Sequence, residues 1–101
     1  MDDRDSDSLV AANRLRSALS DSRGRLSVTS ALTLAGFDRP SFLRSRIVSS
    51  TMRELGWDRG RYRFDGSLLY GYARGTSLER EVILDVERTS DGSVVVKKRE
   101  F

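Results

Sequence analysis

A chain of 101 residues has room for one compact core, so a single domain is expected. It holds no cysteine and no histidine, which excludes disulfides, thiolate zinc sites and every catalytic scheme resting on a His base or a Cys nucleophile. The net charge of +3 hides a segregation: between Arg39 and Arg74 eight arginines stand against Glu54, Asp58 and Asp65, a balance of +5 that leaves −2 for the rest.

Nothing hydrophobic reaches the length of a membrane span, and Met1-Asp2-Asp3-Arg4-Asp5 is the opposite of a basic signal-peptide start. A cytoplasmic protein with no membrane partner is expected. Residues 1–7, with aspartates at 2, 3, 5 and 7, read as a flexible acidic tail. From Ser8 to about Ser20, Leu9, Ala12, Leu15, Ala18 and Leu19 recur at helical spacing, with Asp7 or Ser8 as cap. Asp21-Ser22-Arg23-Gly24 has turn composition and ends this first helix.

Ser27 stands where the N-cap of a second helix belongs, with Val28, Ala31, Leu32 and Ala35 on one side. Gly36 as a left-handed C′ residue places Phe37 at C″ against Leu32 at C3, the contact of a Schellman stop. Asp38-Arg39-Pro40-Ser41 opens a third helix, with Pro40 in the first turn, and Gly56 ends it with Trp57 set against Met52. Two helices joined by four residues containing a glycine form a helix-turn-helix pattern. Leu43, Ile47, Val48, Thr51, Met52 and Leu55 make the apolar side of the third helix, and Arg46, Ser49, Ser50 and Arg53 a polar stripe on the other.

Asp58-Arg59-Gly60 reads as a turn. Arg61 to Phe64 and Ser67 to Arg74 then read as strands around Asp65-Gly66, a strong hairpin signal. A third strand from Glu81 to Arg88 and a fourth from Val94 to Phe101 make a second hairpin. A three-residue loop there would set Val86 opposite Val96 and Asp85 opposite Lys97, other registers staying open, and a cross-strand ion pair with Lys97 is expected on the face of Asp85 and Glu87. Its apolar face must pack on the helical core or on a second chain.

Met52 to Arg74, MRELGWDRGRYRFDGSLLYGYAR, resembles the C-terminal winged-helix segment of phage and plasmid primase-helicases of the virulence-associated E type. The matching residues are Leu55, Gly56, Trp57, Arg59, Arg61, Arg63, Gly66, Tyr70 and Tyr72. The resemblance implies a winged-helix domain from the DNA metabolism of a mobile element. The chain lacks any GxxxxGK[ST] run, so ATP-driven activity is not implied.

The expected fold is therefore α+β: a winged helix-turn-helix of three helices and a wing over residues 8–75, with an added hairpin over 76–101. The expected function is binding of double-stranded DNA, in regulation, replication or packaging. The third helix would lie in the major groove, with Arg44, Arg46, Ser49, Ser50 and Arg53 at bases or phosphates. Arg59, Arg61 and Arg63 of the wing would grip phosphates or the minor groove. Trp57, Phe37, Phe42, Phe64 and Tyr62 read as core. Tyr70 and Tyr72 stay open between core and base stacking. No enzyme, metal or cofactor is expected, Asp85 and Glu87 being better explained by ion pairing than by a catalytic cluster. The alternative is a protein-interaction module, in which residues 81–101 dock on a partner or make a homodimer.

Overall fold

Leu15, Leu19, Leu26, Val48, Met52 and Tyr72 are all fully buried and share one core, around which the chain is wound. The computed structural model describes residues 3–99 except 38 and 40, with residues 3–7 described by backbone alone. Helix α1 spans Asp3–Leu19, strand β1 Gly24–Ser27, α2 Val28–Leu34 and α3 Phe42–Glu54. Strands β2 (Asp58–Phe64) and β3 (Ser67–Arg74) follow, then a 3₁₀ turn over Glu79–Glu81 and the hairpin β4 (Leu84–Arg88) and β5 (Val94–Lys98).

Helix α1 begins at Asp3, not Ser8, so most of the expected acidic tail is helical backbone and neither Asp7 nor Ser8 is its cap. Acidic composition suits the positive end of a helix. The core-facing stripe is Ala11, Leu15, Ala18 and Leu19, while Leu9 is 62% exposed. Leu15 and Leu19 therefore set the register, with Ala11 on the same face one turn earlier and Leu9 off it. Arg74 reaches back to donate to the carbonyls of Leu19 and Ser20, closing the helix end.

Both helix stops have the geometry the glycines imply. Phe37 N–H donates to the Leu32 carbonyl and Gly36 N–H to that of Thr33; Trp57 N–H donates to Met52 and Gly56 N–H to Arg53. Ser27 caps α2 by accepting from the Ser30 amide. Ser41 caps α3 by accepting from the Arg44 amide, so α3 starts at Phe42. The placement of Pro40 in a first turn falls outside the described residues.

Strand β1 is not among the expected elements, and Asp58-Arg59-Gly60, expected as a turn, begins β2. The three strands form one antiparallel sheet in the order β1-β3-β2. Asp58 pairs with Ala73, Arg59 with Tyr72, Gly60 with Gly71 and Phe64 with Ser67. The two-residue turn between β2 and β3 has positive φ at both residues, 52° at Asp65 and 86° at Gly66, as a I′ turn requires.

The terminal hairpin packs on the helical core. Leu84 is buried, and Val86, Val94 and Val96 lie partly buried against the same cluster. Val86 faces Val96 and Asp85 faces Lys97, the expected register. The expected cross-strand ion pair forms between Lys97 and Glu87, diagonally, at 3.1 Å, while Asp85 takes two hydrogen bonds from Arg99. A guanidinium can satisfy both carboxylate oxygens together, which an ammonium cannot. Strand β4 also starts three residues later than expected, because the 3₁₀ turn occupies Glu79–Glu81. Glu100 and Phe101 fall outside the described residues.

Candidate nucleic-acid interface

Helix α3 and strand β2 run on from one another through the Gly56 stop, and the space between them is a cleft of about 600 Å³. Phe42, Ser45, Arg46, Ser49, Ser50, Arg53 and Glu54 from α3 and Arg59 from β2 line it. Five of the residues marked in the sequence, Arg46, Ser49, Ser50, Arg53 and Arg59, are thus brought together on one open surface. Arg61 and Arg63 extend it, since alternation along β2 places them on the face of Arg59.

Ser49 is differently employed. Its hydroxyl lies 2.8 Å from that of buried Tyr72 and accepts from Arg59 at 3.3 Å. This joint ties α3 to both strands of the hairpin, so Ser49 positions its neighbours instead of presenting a free hydroxyl. Arg44 lies apart from the cleft. Its guanidinium sits 5.4 Å from the Phe37 ring and donates to the Arg39 carbonyl.

The aromatic residues divide. Trp57 is core, and Phe37 is packed against it. Phe42, expected in the core, is 80% exposed with the Arg46 guanidinium 5.7 Å from its ring. It occupies the first position of α3, beyond the reach of the helices that cover Val48 and Met52. Tyr72 is buried, whereas Tyr70 is exposed between Arg59 and Arg61, at 5.8 and 5.5 Å from their guanidiniums. The two-residue turn alone would have located it, since that register puts Tyr70 opposite Arg61.

The ion pairs decide the electrostatics of this surface. Each acid between Arg39 and Arg74 is engaged by an arginine from outside that stretch: Glu54 by Arg16 at 3.4 Å, Asp58 by Arg80 at 2.6 Å, and Asp65 by Arg99. The Asp58 carboxylate raises the Arg80 guanidinium above its ordinary pKa, and Asp85 does the same for Arg99. Among the described residues, Arg46, Arg53, Arg59, Arg61 and Arg63 have no carboxylate partner. The sequence did not point to Arg16, Arg80 and Arg99, whose partners lie 38, 22 and 34 residues away.

The strand carboxylates Asp85 and Glu87 of the terminal hairpin are likewise paired, and no group of three or more acidic residues among the described residues is arranged to hold a metal. No described helix is long and apolar enough to cross a membrane. No family model matches the chain, and neither a curated protein nor a solved structure matches it.

Proposed function

We propose that this chain is a winged-helix protein that binds double-stranded DNA, with α3 in the major groove and the β2-β3 hairpin as the wing. The order of helices and strands, with β1 beside β3 and β3 beside β2, agrees with that fold. The observation that carries the functional reading is the arginine surface of Arg46, Arg53, Arg59, Arg61 and Arg63, whose local acids are all turned to other partners. A polyanion supplies what this surface lacks, and a helix beside a cationic hairpin matches a groove flanked by phosphates.

In this reading Arg46 and Arg53 reach base edges or phosphates, Ser50 makes adaptable contacts, and Ser49 holds Arg59 in place. The wing arginines supply sequence-independent affinity. The protein acts in regulation, replication or packaging of a phage or other mobile element, a setting that rests on the resemblance of Met52 to Arg74. No enzymatic step is part of the proposal.

A gel shift on a selected site tests it. Arg46→Ala or Arg53→Ala is expected to lower specific affinity by about 1 to 3 kcal/mol per lost base contact. Charge reversal at Arg61 and Arg63 is expected to weaken binding to all duplexes alike. Unchanged shifts from both sets would refute the assignment. The terminal hairpin offers less to a protein partner, because its apolar face lies against the core of its own chain.

A further inference from the structure

Resting on that duplex-binding reading, we propose that the exposed face of the wing stacks unpaired bases beside the duplex. The protein would then prefer a forked end to a blunt one. Tyr70 is 59% exposed, and Leu68, two residues away on the same face, is 45% exposed. They lie opposite Arg61 and Arg63. Cationic and apolar side chains are thus interleaved on one hairpin face.

Tyr70 has no part in the core. The same alternation that buries Tyr72 under the helices, against Ser49, carries Tyr70 beyond their cover. Arg59 and Arg61 hold their guanidiniums near its ring, and planar guanidiniums themselves stack on bases.

Groove dimensions decide between partners. A two-stranded ribbon fits the major groove, about 12 Å wide, and not the minor groove, about 6 Å wide. With α3 in the major groove, the wing lies along the flanking backbone. An intact backbone offers phosphates to Arg61 and Arg63 and to the Tyr70 hydroxyl, but no π face to the Tyr70 ring and nothing apolar to Leu68, because its bases are stacked within the helix. Where the strands part, a base exposes its π face and can stack on the tyrosine while its phosphates meet the arginines.

Fluorescence anisotropy at one salt concentration tests this with three DNAs: a blunt duplex, the same duplex with unpaired arms, and the forked form with abasic sites in the arms. The unpaired arms are expected to tighten binding about tenfold, in line with alanine-scan values for base stacking on aromatic residues. Abasic arms are expected to return affinity to the blunt value, Tyr70→Ala to abolish the preference and Tyr70→Phe to keep it. Arg53→Ala should weaken fork and blunt forms together. Equal binding of fork and blunt duplex by the native protein overturns the proposal, as does a preference that survives abasic arms or Tyr70→Ala. Failure to bind any of the three overturns the duplex reading as well.

Discussion

Neutralising an arginine on the α3 and wing surface should change the salt dependence of DNA binding, whereas neutralising one already held in an ion pair should not. Arg46, Arg53, Arg59, Arg61 and Arg63 have no carboxylate partner among the described residues, so each can displace a counterion from a phosphate. At about −0.9 per phosphate contact, five contacts make the slope of log affinity against log salt about −4.5. Raising salt from about 50 to 200 mM then weakens binding about 500-fold. The Arg61→Gln, Arg63→Gln pair should bring the slope to about −2.7. Arg23→Gln is the control: Arg23 pairs with Glu79 at 3.5 Å at the end of the sheet away from the turn, so its loss should leave the slope alone. Anisotropy titrations of a random-sequence duplex at four salt concentrations measure all three slopes. A flat native slope, or an equal change from Arg23→Gln, would refute the reasoning.

Leu15→Ala should destabilise the fold by about 2 to 5 kcal/mol in urea titration, because the side chain is fully buried between helices. Gly71→Ala should cost about 1 to 3 kcal/mol, since a Cβ there would stand 2.5 Å from the Leu26 carbonyl oxygen and 3.0 Å from the Phe64 ring. A loss below the measurement error would mean that β1 and β3 do not approach as closely as described. Asp91, held by the Thr89 hydroxyl and the Ser93 amide, has its pKa lowered from 3.8 to about 2. A depressed carboxylate stabilises above its unfolded pKa and is lost on acidification, so the Thr89–Ser93 loop should loosen as pH falls from about 4 towards 2. The Ser93 amide shift should report this transition, and Asp91→Asn should remove it.

The parts of the fold legible in the sequence are those governed by hydrogen bonds within a few residues. The stops at Gly36 and Gly56 need only a residue tolerant of the left-handed region and an apolar residue after it. The Asp65-Gly66 turn sets the pairing of seven residues behind it, and the terminal hairpin follows from matching two runs of alternating valines. Strand β1 was not legible. Its four residues earn their strand geometry from Gly71 to Arg74, almost fifty positions on, and its other edge from Val82 through the Arg25 amide. Helical spacing likewise marked an apolar face on α3 without saying where its cover ends, so it does not distinguish exposed Leu43 from buried Val48 and Met52. Ser49 lay on the polar stripe by periodicity, but its partner, Tyr72, comes from another element.

Ion pairing also changes how the charge of this chain should be read. Counted along the sequence, Glu54, Asp58 and Asp65 reduce the excess of the basic stretch. In space they do the opposite, because each draws an arginine from α1, from the 3₁₀ turn or from beyond β5 and fixes it against the scaffold. Arg99 thereby braces the wing turn at Asp65, and Arg25 braces its far strand by donating to the Arg63 carbonyl. With Ser49 joining Arg59 and Tyr72 at its base and Arg80 holding Asp58, the hairpin is held at four places, and the acids Asp58 and Asp65 that would have quenched its arginines serve to hold it. A rigid hairpin loses little conformational freedom when its cations meet a polyanion, so affinity can come from few contacts. The same bracing fixes the spacing between the α3 arginines and Tyr70, and so, under the proposed duplex binding, the distance from that duplex at which an unpaired base would be met.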